Sequence, residues 1–257
     1  MTVTVVGDNT GYEVGVVETS LVEILPTTNY AADYIRLGSA GGSNRARVLF
    51  KFTGLANITG PVTVSSAVIT LMTADSTATR AVSLRKLLVP FVEAEATWNI
   101  YSTGNSWGTA GASGAGDMDS TVVATGTIPA TNGSTFAISG AGLDSLVEGW
   151  INGTIANEGC ILSLTDESTA SYGYLLRQSE DGTASRRPYL TVTYTAGSPG
   201  PTVTSVTQTS GGTEGSPAVM TVALSGATSG STNFAATLAG VTATGSGTDF
   251  TSDLASA

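Results

Sequence analysis

Residues 44–52 alternate between apolar and polar positions, and this period of two predicts a β-strand. One face of the strand carries Ala46, Val48, Phe50 and Phe52, and the other face carries Arg45, Arg47, Leu49 and Lys51. Because successive side chains of a strand point to opposite faces, we expect the first set in a core and the second set in water. The apolar face needs an opposing sheet, so the pattern predicts an antiparallel, two-layered protein.

Similar short runs rich in β-branched residues recur along the chain between turns rich in Gly, Ser and Pro, which is typical of an all-β protein. One segment has helical spacing instead, because its apolar residues are Leu143, Leu146, Val147, Trp150 and Ile151. We therefore predict an all-β fold, an antiparallel β-sandwich with one short helix. A small, partial β module is expected at the C-terminal end.

The predicted organisation has four parts. Residues 1–17 form an N-terminal arm or hairpin, and residues 18–195 form the main sandwich. Residues 196–201 form a linker, because the segment is rich in Gly and Pro. Residues 202–257 hold three weaker strands with few large apolar side chains, which make a poor core by themselves. We expect a partner to complete this last part.

The acidic balance of the chain argues against two kinds of partner. Acidic side chains outnumber basic ones by 20 to 10, and the formal net charge is −10. Nucleic acids and anionic membranes attract clustered Lys and Arg, so we predict neither as a partner. No apolar run approaches the length of a membrane span, and the first residues lack the pattern of a signal peptide.

Catalytic residues are scarce in the sequence. The chain has no histidine, which removes the commonest general base and metal ligand. Glu93 and Glu95 are a carboxylate pair of the kind used in glycoside hydrolysis. Both lie just before Trp98, however, which we expect to be a structural residue of the core. We therefore predict that the protein is not an enzyme. The single cysteine, Cys160, lies in an apolar run and is predicted to be a buried, inert thiol.

Four basic residues are candidate ligands for an acidic polysaccharide: Arg36, Arg45, Arg47 and Lys51. The guanidinium group of arginine is a planar fork that matches a carboxylate in shape and charge. The alternative is an ordinary solvated strand face, on which these bases pair with Glu or Asp across the sheet.

Residues 93–120 form a long segment rich in Gly, Ala and Ser, and long loops are often functional. Tyr101 and Trp107 in this segment are candidate exposed platforms for sugar rings, with burial in the core as the alternative. Asp117 and Asp119 are candidate ligands for a structural Ca²⁺, with a plain turn as the alternative. No other cofactor is predicted.

Seven short motifs follow one another along the chain: residues 26–30 with 35–38, 47–52, 66–71, 96–99, Trp107 with 116–117, 146–150, and 187–194. Together they resemble the DNRLRE family of β-sandwich modules, which overlaps carbohydrate-binding modules of polysaccharide-degrading proteins. The resemblance covers residues 19–194 and implies a jelly-roll-like sandwich with a binding or surface-structural role. The chain departs from the family at Ala31 and Ala32, where the family has a glycine after the Asn-Tyr pair.

Further pieces at Glu214, at residues 221–225 and at residues 247–250 are similar to the first half of a Calx-beta domain. The resemblance covers residues 202–254 and implies a partial, immunoglobulin-like β-sandwich whose later strands are absent. It also implies Glu214, Asp249 and Asp253 as a second set of calcium ligands. An unpaired strand edge in such a partial domain invites strand addition from a neighbour.

Two functions remain. The first is a non-enzymatic virion protein, such as a phage head or tail decoration, a fibre or an adhesion subunit on the virion surface. We expect such a protein to be a homo-oligomer that contacts other subunits through residues 1–17 and 200–257. The alternative is a carbohydrate-binding module of a secreted polysaccharide-active or cell-surface protein. The composition and the incomplete tail favour the first, and the family resemblance and the basic face favour the second.

Overall fold

A computed structural model describes residues 2–6, 15–31, 34–39, 41–169, 171–197, 202–210 and 219–226. The chain divides into two compact units, Met1–Gly197 and Ser198–Ala257. The strands within the described residues are β1 (Thr2–Val6), β2 (Val17–Val22), β3 (Ile35–Ser39), β4 (Ala46–Lys51), β5 (Val62–Asp75), β6 (Arg80–Leu87), β7 (Ile100–Ser102), β8 (Asn105–Ser106), β9 (Met118–Ile128), β10 (Thr135–Ser139), β11 (Cys160–Leu164), β12 (Ser171–Leu176), β13 (Tyr189–Ala196), β14 (Val203–Ser210) and β15 (Val219–Leu224). The α-helix α1 is Ala141–Ile151, and short 3-10 helices lie at Thr53–Asn57 and Ala184–Arg186.

Strands of the first unit close into an eight-stranded antiparallel barrel. The order around the ring is β5, β10, β9, β6, β11, β4, β3 and β12, and β12 pairs with β5 to close it. Outside the ring, β13 pairs with β5, β1 with β13, and β2 with β4. The predicted all-β class with one helix is confirmed, but the predicted open, jelly-roll-like sandwich is wrong.

The length of β5 explains the closure. β5 has 14 residues, and it pairs with β13 over residues 62–70 and then with β12 at Thr73 and Asp75. β12 pairs with β3 along its other edge. Pairing around the ring satisfies backbone groups that two open sheets would leave exposed at their edges.

The interior of the barrel is apolar, and β4 contributes to it as predicted. Val48 and Phe50 are fully buried, and Phe52 and Ala46 are also buried. The rings of Phe50 and Phe52 stack with their centroids 6.4 Å apart. The period of two therefore identified the inner face of this strand correctly.

Helix α1 covers one flank of the barrel, and the predicted helix is confirmed. Its apolar face is buried through Leu143, Leu146, Val147 and Trp150. Its polar face accepts hydrogen bonds from the backbone of β5. The Ala67 amide donates to Asp144 at 2.7 Å, and the Val64 amide donates to Glu148 at 2.8 Å. The helix thus covers the core and accepts hydrogen bonds from backbone amides of β5.

Residues 2–6 of the predicted N-terminal arm form β1, and its last residue, Val6, is buried in the core of the first unit. In the second unit, β14 and β15 form a two-stranded antiparallel sheet. The predicted strand at residues 233–238 lies outside the described residues, as do Glu214, Asp249 and Asp253. No helix in the described ranges is long and apolar enough to cross a membrane.

Candidate functional site

Arg45 and Arg47 each pair with a carboxylate. Arg45 Nε and Nη2 donate to the two oxygens of Glu23 at 3.0 and 2.7 Å, and this hydrogen bonding lowers the pKa of Glu23. Arg47 Nε and Nη2 donate to the two oxygens of Glu167 at 2.9 and 2.7 Å, and Arg47 Nη1 donates to the Gly111 carbonyl at 2.6 Å. For these two residues the structure matches the alternative of bases paired with nearby acids.

The expectation that the outer face of β4 is in water is wrong. Arg47 is 6 % exposed, and Leu49 on the same face is fully buried. The guanidinium carbons of Arg45 and Arg47 each lie 5.3 Å from the ring centroid of Trp98, within cation–π range. A second apolar cluster covers this face, formed by Leu21, Leu49, Leu87, Phe91, Ala96, Trp98, Trp107, Ala112 and Ile161. We call residues 88–118, which supply much of this cluster, the loop layer.

The loop layer buries the predicted sugar platform. Trp107 is 5 % exposed, and its indole nitrogen donates to the Thr97 carbonyl at 2.9 Å, so the expected exposure of Trp107 is wrong. Tyr101 is half-buried, with its ring centroid 5.4 Å from that of Trp107. The glycine content has a packing reason, since a Cβ on Gly111 would lie 2.5 Å from Trp98 and the φ angle there is +77°.

Asp117 organises the loop layer from within. Its buried carboxylate accepts backbone amide hydrogen bonds from Gly108, Thr109 and Gly114 at 2.7, 2.9 and 2.9 Å. Both oxygens of Asp117 therefore accept hydrogen bonds from the loop itself. The role that the structure supports for this residue is loop closure.

Replacing Asp117 with alanine is expected to lower the free energy of unfolding by about 2 kcal/mol, because three amides lose a charged acceptor. Urea denaturation followed by circular dichroism measures the change. The control is Asp166→Ala, since this exposed carboxylate also accepts hydrogen bonds in a turn, from Ser168 and Thr169, and its loss is expected to be much smaller. Equal losses in both variants would contradict the organising role of Asp117.

Lys51 and Asp119 lie nearer the surface. Lys51 ends β4, opposite Val17, and is half-buried. Asp119 accepts the Thr121 amide at 2.9 Å, and its other oxygen lies 3.8 Å from Nζ of Lys86. Within the part of the chain that the structure describes, no group of three or more Asp, Glu, His or Cys side chains forms a metal site.

Aromatic and basic side chains meet elsewhere, beside β3 and β12. The guanidinium carbon of Arg36 lies 5.2 Å from the Tyr30 ring centroid, and that of Arg177 lies 5.5 Å from the Tyr34 ring centroid. Tyr34 is 40 % exposed, and the other three side chains are half-buried. We call these four residues the tyrosine–arginine surface.

The pairing of β3 with β12 explains how these residues come together. Arg36 lies opposite Leu175, and Ile35 lies opposite Leu176. Extending this register by one residue puts Tyr34 opposite Arg177, on the same face as Arg36. Sequence analysis had identified Arg36 alone, and the available signal for Tyr34 was its spacing of two residues from Arg36.

A buried carboxylate lies in the same unit. Glu18, on β2, is 2 % exposed, and its Oε1 accepts the Ser179 amide at 2.5 Å. Burial raises the pKa of Glu18 to about 8, and the nearby carboxylates of Glu180 and Glu93 add to the rise. The backbone amide of Glu18 donates to Glu93 at 2.9 Å. Sequence analysis identified neither Glu18 nor Glu180.

No protein-family model matches the chain, and a search of the curated proteins finds no match either. The resemblances described from the motifs stay predictions.

Proposed function

We propose that the chain is a non-enzymatic virion structural or adhesion protein that attaches to surface glycans through the tyrosine–arginine surface. The observation that supports glycan attachment is the pair of partly exposed tyrosine rings, each with a guanidinium carbon within 5.5 Å of its centroid. Aromatic rings offer flat apolar faces to sugar rings, and guanidinium N–H groups donate to hydroxyl oxygens. The virion assignment is supported by the β-rich composition.

The charges around this surface favour a neutral glycan. Arg177 Nη1 donates to the Asp181 carboxylate at 3.1 Å, so a local acid already offsets its charge. The net charge of −10 also repels an acidic polymer at long range. Recognition would therefore depend on stacking and on hydrogen bonds to hydroxyl groups.

The tyrosine–arginine surface is built on paired strands, which favours binding. The amide of Arg36 donates to Ser20 Oγ at 2.7 Å, which ties β3 to the buried face of β2. Contact with the arginines restricts the tyrosine rings before a ligand binds. A preorganised surface loses less conformational entropy on binding.

The alternative is a carbohydrate-binding module of a secreted polysaccharide-active or cell-surface protein, and the same four residues would serve it. Neighbouring genes separate the two functions, because capsid and tail genes support a virion protein and lyase or hydrolase genes support the alternative. Antibodies against the chain that label assembled particles in electron micrographs would support the virion assignment. Particles without label would contradict it.

A glycan array tests the proposed surface directly. We expect the full chain to bind neutral glycans, and we expect Tyr34→Ala and Arg36→Ala each to weaken the best interaction about tenfold, a loss typical of a central contact residue. Circular dichroism spectra like that of the wild type would show that both variants fold.

Two matched variants serve as controls for the array. Tyr34→Phe keeps the ring and is expected to retain most of the binding. Arg85→Ala removes a base from β6, outside the tyrosine–arginine surface, and is expected to change nothing. An array without bound glycans, or binding that survives both alanine variants, would contradict the proposal.

A further inference from the structure

Three buried carboxylate and amide oxygens of the first unit accept no hydrogen bond from the described residues: Glu18 Oε2, Gln178 Oε1 and Glu180 Oε2. Glu18 is almost fully buried, so bulk water does not solvate its free oxygen. Buried polar atoms in folded proteins nearly always have a partner, and an unpaired carboxylate oxygen is among the least favourable exceptions. A ligand that bound these oxygens would remove this cost.

Ser179 holds the two carboxylates close to each other. Its backbone amide donates to Glu18 Oε1 at 2.5 Å, and its hydroxyl donates to Glu180 Oε1 at 2.9 Å. Each carboxylate thus uses one oxygen on Ser179 and keeps the second oxygen unpaired. Gln178 precedes this serine in the chain, and its buried side-chain carbonyl oxygen accepts no hydrogen bond from the described residues.

Acidic groups lie around Glu18. Glu93 accepts a hydrogen bond from the Glu18 amide at 2.9 Å, and the Glu180 carboxylate shares Ser179 with that of Glu18. The neighbouring guanidinium groups donate to Asp181, Arg177 to its carboxylate at 3.1 Å and Arg187 to its backbone carbonyl at 2.8 Å. A cation bound between the carboxylates of Glu18 and Glu180 would offset their mutual repulsion.

We propose that Glu18, Gln178 and Glu180 form a calcium site. All three free atoms are hard oxygen donors, two from carboxylates and one from an amide, and Ca²⁺ accepts this mixture in flexible geometry. Water and backbone carbonyls complete such coordination spheres. The site has only two acidic ligands, and its third ligand is an amide. Within the described residues, no group of three or more Asp, Glu, His or Cys side chains could hold a metal ion. It lies apart from Asp117 and Asp119, the calcium ligands predicted from the sequence.

Isothermal titration of the full chain with CaCl₂, after removal of metals with EDTA, tests the proposal. We expect the wild type to bind Ca²⁺ and to melt at a higher temperature with Ca²⁺ than with EDTA. Glu18→Gln and Glu180→Gln are each expected to weaken binding by at least about tenfold. Glu158→Gln, which neutralises an acid outside the site, is expected to bind like the wild type.

Two results would overturn the proposal. One is a wild type that neither binds Ca²⁺ nor changes its melting temperature. The other is calcium binding that both glutamine variants retain, which would place the ion elsewhere. Should Glu18→Gln fail to fold, Gln178→Ala removes the amide ligand at a half-buried position and applies the same criterion.

Discussion

Replacing Trp98 with alanine is expected to lower the free energy of unfolding by about 3–5 kcal/mol, the usual loss for truncation of a buried tryptophan. Trp98 is 4 % exposed and joins the apolar side chains of the loop layer to Arg45 and Arg47 on β4. The truncation leaves a cavity next to Gly111 and removes the aromatic ring that both guanidinium groups contact. Urea denaturation followed by circular dichroism measures the loss.

The matched control for this variant is Val122→Ala, because Val122 is a large apolar residue that is 40 % exposed. Its effect is expected to stay within about 0.5 kcal/mol. Equal effects in the two variants would mean that the loop layer does not pack on β4 in solution. The account of the buried outer face would then be wrong.

Local periodicity was sufficient to predict the inner face of β4 and the helix α1. The alternation in β4 identified Val48 and Phe50 as core residues, and the helical spacing around Leu146 identified α1. Both signals arise within a few residues, because side-chain direction repeats every two residues in a strand and every 3.6 in a helix.

Pairing between distant segments could not be predicted in this way. Alternation shows which face of a strand is buried, but it does not show which strand lies beside it, so the closure of β12 onto β5 was missed. The tyrosine–arginine surface could not be predicted for the same reason, since the register of β3 and β12 brings Arg177 next to Tyr34.

The loop layer was missed for a different physical reason. Its residues lack a regular period, and their Gly and Ala content suggests an exposed loop. The small residues instead allow close approach, as at Gly111 against Trp98. Arginine on a strand likewise suggests a solvent-exposed face. Arg47 is nevertheless buried, because its N–H groups donate hydrogen bonds to Glu167 and to a backbone carbonyl. The burial of the loop layer and of the outer face of β4 thus depends on contacts between residues distant in sequence.

Replacing Arg47 with alanine is expected to lower the free energy of unfolding by about 3 kcal/mol, since it leaves Glu167 and the Gly111 carbonyl without their donor in a poorly hydrated place. Arg45→Ala on the same strand is the matched control. The side chains of Arg45 and Glu23 are 30 % and 26 % exposed, so water replaces their contact and the expected loss is at most about 1 kcal/mol. Urea denaturation of both variants measures the difference.

A double variant separates the loss of the ion pair from the loss of packing. Arg47→Met with Glu167→Gln keeps most of the side-chain volume and removes both charges, so it is expected to recover much of the stability that Arg47→Ala loses. The prediction fails if Arg47→Ala costs no more than Arg45→Ala. In that case the Arg47 guanidinium group would be hydrated in solution, and the outer face of β4 would be open to an acidic polysaccharide after all.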